Sequence, residues 1–258
     1  MSPPRTVHDR AELAGLLGRD PALHAYQLGD LDDFFWPYTS WFRDGDSVAL
    51  VYHGGGSPIL LAFEPPERRD RLIGLLTGLA PLLPRRLYAH LSPGAEAALT
   101  GQFAAESHGP HRKLALTEPA RLPLVEPAGE PLTTADLPEL ERLYRLSYPD
   151  NSFDPRMLAT GHYLGLRRAG ELVAVAGVHV WSARYRVSAL GNVTTHPELR
   201  GQGIGTALVA GVCRRLLRTV DHITLNVRAD NTPALALYAR LGFTPVAEYT
   251  ELTLTATA

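Results

Sequence analysis

The residues with the clearest chemical potential form a glycine-rich run, Arg200-Gly201-Gln202-Gly203-Ile204-Gly205-Thr206. The run separates a β-branched segment from an apolar helical pattern. A helix that begins among these glycines has unpaired backbone N–H groups and partial positive charge at its first turn. Glycine allows a ligand to approach closely, and Arg200 adds a planar cation with five hydrogen-bond donors. The run therefore predicts a diphosphate site, and a turn that only packs helix against sheet is the alternative.

The spacing of the glycines narrows the choice of phosphate ligand. A P-loop ends in Gly-Lys-Ser/Thr, but Lys113 is the only lysine of the chain, so ATP or GTP binding by that route is excluded. A dinucleotide fingerprint needs Gly-x-Gly-x-x-Gly directly after a strand, whereas these glycines stand at positions 201, 203 and 205. The run therefore indicates a phosphate-bearing ligand of another kind.

A second segment joins a predicted strand to a helix that carries a tyrosine. Asn231 is a suitable N-cap, Pro233 stands in the first turn, and Gly242 ends the helix. Tyr238 lies in the second half of this helix. By itself, Tyr238 would be interpreted as a packed aromatic residue of an amphipathic helix.

The two segments together resemble the GNAT superfamily of acyl-CoA-dependent N-acyltransferases. Arg200–Gly205 matches the family signature Arg/Gln-x-x-Gly-x-Gly/Ala. Asn231–Phe243 is similar to its C-terminal signature, Asn-x-x-Ala-x-x-x-Tyr-x-x-x-Gly-Phe. The strong match covers Val187–Phe243, and the order of elements fits the family over residues 130–258.

The resemblance implies that acetyl-CoA is the cosubstrate and assigns its contacts. Pantetheine pairs like an added strand with Val193, Thr194 and Thr195, where one backbone N–H polarises the thioester carbonyl. Asn231 bonds the pantetheine arm. The diphosphate contacts come from Arg200 and the loop, with Gly201, Gln202, Gly203, Ile204, Gly205 and Thr206 as binding residues.

The resemblance also implies the catalytic roles. Tyr238 protonates the departing thiolate, while the base is not marked by either signature, because Val187–Thr195 contains no acidic residue. His179 is the candidate base, and a water or backbone relay or an already neutral acceptor is the alternative. The layout of the family places the amine acceptor, a small molecule or a protein, near Tyr148, Asn151, Ser152 and Phe153.

Hydrophobic patterning predicts two similar halves. In the second half, Val187–Thr195 and His222–Val227 are predicted strands, and Gly203–Arg218 and Thr232–Leu241 are predicted helices. The first half has a predicted hairpin, Ser47–Tyr52 with Pro58–Phe63, and a later helix over Gly94–Phe103. A proline-rich stretch places the boundary near residue 125.

These patterns predict an α/β (α+β) fold of two tandem GNAT-like domains, each a mixed, mostly antiparallel splayed sheet flanked by helices. Residues 1–125 are expected to form a degenerate domain without a cofactor signature, because the segment Glu64–Arg69 has no glycine and two acids. Residues 126–258 are expected to bind acyl-CoA.

Composition excludes several classes of protein. With 45% hydrophobic residues, 20% charged residues and a net charge of −2, the chain is neither globally disordered nor a typical nucleic-acid binder. The single cysteine excludes a disulfide framework and a cysteine-based zinc site, and no metal is expected. The chain has no apolar run of about 18 residues and no signal-peptide pattern, so a cytoplasmic monomer or homodimer without a membrane partner is expected.

The competing hypothesis is a non-catalytic acyl-CoA sensor. Such a module would keep Arg200, the glycines and Asn231 but would not need a general acid. The presence of Tyr238 favours an enzyme, whereas the missing carboxylate base favours the sensor.

Overall fold

The computed structural model describes residues 4–123 and 129–257, which form two compact units. The first unit contains the chain up to Lys113, Val227–Asn231 and the residues from Pro245 onward. The second contains Leu114–Asn226 and Thr232–Thr244. The predicted boundary near residue 125 lies outside the described residues, and neither unit is one continuous half of the chain. Within the described ranges, no helix is long and apolar enough to cross a membrane.

The units contain six α-helices and twelve strands among the described residues. The helices are α1 (Arg10–Leu17), α2 (Ala25–Gly29), α3 (Arg69–Leu79), α4 (Leu137–Ser147), α5 (Ile204–Leu216) and α6 (Thr232–Arg240). The strands are β1 (Arg5–Thr6), β2 (Thr39–Asp44), β3 (Ser47–Tyr52), β4 (Ile59–Ala62), β5 (Arg86–Leu91), β6 (Phe103–Leu116), β7 (Glu130–Pro131), β8 (Leu164–Arg168), β9 (Glu171–Ser182), β10 (Val187–Thr195), β11 (His222–Arg228) and β12 (Phe243–Ala256).

Each unit is mostly antiparallel with one parallel pair, as the predicted fold class requires. In the first unit the strand order is β1-β2-β3-β4-β5-β12. Among the described residues, β4 and β5 pair in parallel and the other neighbours in this order pair antiparallel. In the second unit the order is β7-β8-β9-β10-β11, and β10 and β11 are parallel. The predicted hairpin is confirmed as β3 paired with β4.

The C-terminal strand of the chain contributes to the first unit. Residues Thr250–Thr255 of β12 pair antiparallel with Leu91–Arg86 of β5. Leu252 and Leu254 are buried in the same apolar core as Leu87, Leu91 and the leucines of α3. Because β12 follows the whole second half in sequence, this pairing could not be found from local patterns.

The helix predicted over Gly94–Phe103 is wrong. Only Ala95–Ala98 form a 3-10 turn, which starts at Gly94 in a left-handed conformation with φ +86°. The chain then turns, and Phe103 already begins β6. The short apolar group of Ala95 and Leu99 packs in the core of the first unit, which explains its helix-like spacing without a helix.

In the first unit, hydrogen bonds continue to connect β4 and β5 beyond their last parallel pair, which is Ala62 with Leu91. The N–H of Ser92 donates to the carbonyl of Ala62 over 3.2 Å. The Ser92 hydroxyl then accepts from the Glu64 N–H and donates to the Glu64 carbonyl, both at 2.9 Å. Ser92 therefore satisfies the backbone groups that follow β4.

Lys113 is buried among aromatic rings. Its Nζ lies 4.7 Å from the ring centroids of Tyr26 and Phe63 and 5.9 Å from that of Tyr249. In the part of the chain that the structure describes, the ammonium has no hydrogen-bond partner. Burial lowers the pKa of Lys113 from 10.5 to about 7, because the charged form loses its hydration.

This burial makes stability depend on pH. Below pH 7, Lys113 is charged in the folded and the unfolded chain, so the cost of burying the ammonium is fully present. Between about 7 and 10.5 the folded chain loses this proton first, and the cost decreases. We expect Lys113→Met to raise the melting temperature at pH 6 and the gain to shrink towards pH 10. The half-exposed Arg112→Met is the control; a Lys113→Met gain that grows with pH would contradict the assignment.

Candidate active site

The predicted diphosphate loop lies between β10 and α5, in the second unit. After β10 ends at Thr195, a 3-10 turn spans Pro197–Leu199, and α5 begins at Ile204. Gly201 and Gly203 both have φ +77°, and open space surrounds the position of a Cβ at each. Glycine is therefore favoured at both positions because of the positive φ angle, and not because a side chain would clash with a neighbour. Gly203 is the N-cap and has no side chain, so the first N–H groups of α5 lack a side-chain acceptor.

Arg200 anchors this loop to neighbouring elements. Its Nε donates to the Thr195 carbonyl over 3.2 Å, and its Nη2 donates to the Ser147 carbonyl at the end of α4 over 3.0 Å. Gln202 is also engaged, since its Oε1 accepts from Arg168 over 3.0 Å. The guanidinium is exposed and retains donors at Nη1, so it can both fix the loop and contact an anion.

The two parallel strands of the second unit separate just before this loop. Their paired register runs from Val187 with His222 to Leu190 with Leu225 and ends there. β10 continues to Thr195, and on its other side Thr194 and Thr195 pair with Val175 and Ala174 of β9. Over the predicted pantetheine residues Val193, Thr194 and Thr195, the edge that faced β11 therefore has no paired strand among the described residues.

A β-bulge interrupts β10 at the point of separation. The register with β9 shifts between Gly191 and Thr194, and Asn192 has a left-handed φ of +55°. Asparagine tolerates this region better than most residues. The Tyr144 hydroxyl on α4 donates to the Asn192 carbonyl over 3.0 Å, and the Asn192 amide donates to the Tyr163 hydroxyl over 3.0 Å.

The predicted base, His179, packs against the bulge. A Cβ on Gly191 would lie 2.0 Å from Cδ2 of the His179 ring, so only glycine leaves room for the imidazole there. The position of the ring next to the bulge is compatible with a catalytic role, and that role stays a prediction.

The predicted acid, Tyr238, lies on α6 and is buried with 8% of its surface exposed. Its ring contacts Phe243 edge-on, with centroids 5.6 Å apart. Burial raises the pKa of Tyr238, so the phenol stays protonated at neutral pH. Asn231 is the exposed residue before α6; its N–H donates to the Arg228 carbonyl over 3.1 Å, and it belongs to the first compact unit.

In the predicted acceptor segment, residues 148–153, the Asn151 side chain forms hydrogen bonds with the backbone of its neighbours. Asn151 donates to the Tyr148 carbonyl over 2.7 Å and accepts from the Phe153 N–H over 2.9 Å. The Phe153 ring then contacts Tyr144 and Tyr163, with centroids 5.1 and 5.7 Å apart. Sequence reasoning missed Tyr144 and Tyr163, and the only available signal was an aromatic residue on the apolar face of α4.

The single cysteine is not placed as a nucleophile. Cys213 is fully buried in α5, and burial raises the pKa of its thiol, which disfavours a nucleophilic thiolate. Over residues 4–123 and 129–257, no group of three His, Cys, Asp or Glu side chains is arranged to hold a metal ion.

Comparison with known proteins finds one family model that matches the second half of the chain. Residues 130–243 match the Acetyltransferase (GNAT) family. A mycothiol acetyltransferase from Arthrobacter sp. (strain FB24) is 35% identical over 96 residues, 36% of this chain and 28% of that protein. The N-alpha-acetyltransferase RimI from Mycobacterium tuberculosis is 34% identical over 107 residues, 37% of this chain and 61% of that protein. This chain thus covers less than two thirds of either relative.

The fold similarity extends over nearly the whole chain. A solved tandem GNAT protein from the clavulanic acid biosynthesis pathway superposes with a TM-score of 0.57 at 19% identity. The match covers 98% of this chain and 97% of that one. At this identity the likeness concerns the fold alone.

The loop glycines allow a matched prediction. Gly203→Ala places a Cβ on a residue with φ +77°, and we expect a destabilisation of about 1–2 kcal/mol. Gly205 lies within α5, and a Cβ there would make ordinary contacts at 3.5 and 3.7 Å. Gly205→Ala should therefore be neutral or stabilising by up to about 1 kcal/mol. Thermal unfolding of both variants checks this, and a larger loss for Gly205→Ala would contradict the loop geometry.

Proposed function

We propose, from the match of residues 130–243 to the Acetyltransferase (GNAT) family, that the chain transfers an acetyl group from acetyl-CoA to an amine. The pantetheine arm lies along the edge of β10 at Val193, Thr194 and Thr195. The diphosphate binds at the N-terminus of α5, beside Arg200 and the N–H groups of residues 202–206.

The separation of β10 from β11 directly before an uncapped helix N-terminus carries this proposal. Backbone N–H and C=O groups inside a protein need partners, and a strand edge offers both kinds of group in a row. Pantetheine contains amides and can pair with such an edge. The free N–H groups of α5 lie one loop further along the chain, where the diphosphate of the same molecule is required.

The proposed reaction is a direct transfer. The acceptor nitrogen bonds to the thioester carbonyl carbon, the C–S bond breaks, and Tyr238 gives its phenolic proton to the sulfur. The proton released from the nitrogen goes to His179 or water, and Tyr238 regains a proton from solvent. A thiol has a pKa of roughly 8.5 and a phenol roughly 10. Since burial raises the pKa of Tyr238, the transfer requires a thiolate in the same desolvated site.

The first unit is proposed to bind no acyl-CoA. Ser92 bonds the backbone groups of Ala62 and Glu64 at the end of its parallel strand pair. The corresponding place in the second unit is the open edge beyond the last pair of β10 and β11. Its segment Glu64–Arg69 contains two acidic residues and no glycine, which disfavours a diphosphate. The catalytic chemistry is therefore assigned to the second unit alone.

The acceptor is proposed to be an amine of a small molecule or a protein. The names of the two relatives differ in the acceptor, so they do not indicate which acceptor this chain uses. Release of CoA thiol from acetyl-CoA, followed with a panel of small amines and peptide N-termini, would identify it.

The roles of Tyr238 and Arg200 are separable. Tyr238→Phe removes the acid, and we expect kcat to fall about 10²-fold while the Kd for CoA stays within about twofold. Arg200→Ala removes charge-assisted donors, and the Kd for CoA should rise about tenfold. Thiol release and calorimetry measure the two effects, with Tyr185→Phe as the control. If Tyr238→Phe weakened binding and Arg200→Ala only slowed turnover, the assignment of roles would be wrong.

The sensor hypothesis makes a different prediction for the same assay. Tight CoA binding without thiol release for any amine in the panel would contradict the proposed transfer and favour an acyl-CoA sensor.

A further inference from the structure

The Asn192 side chain contains a hydrogen-bond acceptor that has no donor among residues 4–123 and 129–257. Asn192 is 3% exposed, and its Oδ1 is buried without a partner. Its backbone carbonyl accepts from Tyr144, and its Nδ2 donates to Tyr163. Tyr144 therefore holds the backbone of this residue and Tyr163 holds its side-chain amide, while Oδ1 meets no donor among the described residues.

The hydrogen-bond network fixes which amide atom is free. The Tyr163 hydroxyl has one hydrogen, and it donates this hydrogen to the Val178 carbonyl over 3.0 Å. Burial raises the pKa of Tyr163, so that hydrogen remains in place. The hydroxyl can then only accept from Asn192, and it must face the amide NH₂. Oδ1 is consequently the unsatisfied atom, and a flipped amide would leave two acceptors facing each other.

Two further unpartnered oxygens lie on β11 beside the point of separation. Thr224 Oγ1 and Asn226 Oδ1 are both buried without partners, and Leu225 between them is the last residue paired with β10. Side chains alternate along a strand, so Thr224 and Asn226 share one face. In the parallel register Leu190 faces the same side as Leu225, and Gly191 then faces the side of Asn226. The His179 ring occupies the space next to Gly191 on that face.

A ligand with N–H donors would satisfy these three oxygens, Asn192 Oδ1, Thr224 Oγ1 and Asn226 Oδ1. Two sources contain such donors, namely the amides of pantetheine and the acceptor amine. Asn192 is held by Tyr144 and Tyr163, and their rings contact Phe153 of the predicted acceptor segment. This arrangement favours the amine as the ligand, because its apolar stem would pack against these rings.

Resting on the proposed acetyl transfer, we propose that Asn192 Oδ1 accepts an N–H from the acceptor, a primary amine on an aromatic or apolar stem. Asn192 is thus a substrate-contacting residue that positions the nucleophilic nitrogen beside Val193. The amide accepts a hydrogen bond but takes no proton, so the proton of the reacting nitrogen leaves by the route described above.

The uncharged character of the amide has a chemical consequence. A carboxylate in this position would stabilise the ammonium form of a bound amine and raise its pKa. An amide oxygen binds the N–H with much less preference for the charged form. Around this network, Asp154 pairs with Arg156. Burial raises the pKa of Tyr144 and of Tyr163, so both phenols are neutral at pH 7. Among the described residues of this network, which His179 adjoins, no unpaired carboxylate faces the amine. The amine therefore binds in its neutral, nucleophilic form.

Two substitutions test the contact without straining the bulge. Glycine and aspartate both tolerate the left-handed φ of residue 192. Asn192→Gly removes the acceptor, and Asn192→Asp keeps an oxygen but adds charge. Ala169→Gly is the matched control, because Ala169 also has a positive φ of 51° and lies in the turn between β8 and β9.

The probe is phenethylamine, titrated calorimetrically into the complex of the full chain with CoA. We expect Asn192→Gly to weaken phenethylamine binding at least tenfold and to leave the Kd for CoA within about twofold, as Ala169→Gly does. A loss of CoA affinity instead would assign the N–H to pantetheine and overturn the proposal. Unchanged affinities for both ligands, or no phenethylamine binding to the unaltered chain, would also overturn it.

Kinetics with acetyl-CoA and phenethylamine provide a second readout. Asn192→Asp should bind phenethylamine at least as tightly, but its kcat profile should shift upward by about one pH unit, because the bound amine stays protonated to higher pH. A profile that does not move would overturn the neutral-amine assignment. If phenethylamine bound as expected but no thiol were released, the proposed acetyl transfer would fail for this amine while the Asn192 contact would stand.

Discussion

The second unit depends on one constraint, which is the separation of two parallel strands inside a sheet. Backbone groups within a protein are almost always paired, so a strand that leaves its neighbour must find other partners. β10 meets this constraint on one side through β9 and leaves its other edge without a paired strand beyond Leu190. The site is therefore built from main-chain groups, and side chains mainly hold this edge in place.

The first unit also has one parallel strand pair, but there the backbone groups beyond the last pair find partners within the protein. There the groups that follow β4 are satisfied by a single serine, Ser92, through its hydroxyl and its N–H. One hydroxyl side chain thus does locally what a bound molecule is proposed to do in the second unit. The difference between the two units lies in how the backbone is satisfied after the last parallel pair, and much less in the order of their elements.

The sequence predicted the parts of this site that depend on local chemistry. Val187–Thr195 was predicted with the bounds that β10 has, and the positive φ of Gly201 and Gly203 follows from a tight strand-to-helix turn. The contacts of Tyr144 and Tyr163 with Asn192 join residues 48 and 29 positions apart, so no local pattern reveals them. The pairing of β12 with β5 is more distant still, and it explains why two continuous halves were expected where the compact units are interleaved.

The missing carboxylate on β10 looks like a defect of an enzyme only if the base must lie on that strand. The bulge instead places Asn192 there, and asparagine meets two requirements. It tolerates the left-handed backbone, and it offers an amide that Tyr163 orients. Aspartate would meet the first requirement as well. However, its charge would be buried next to the phenol of Tyr163, where desolvation would favour protonation or an ammonium partner. A neutral acceptor is thus the choice that keeps a bound amine nucleophilic in a desolvated site.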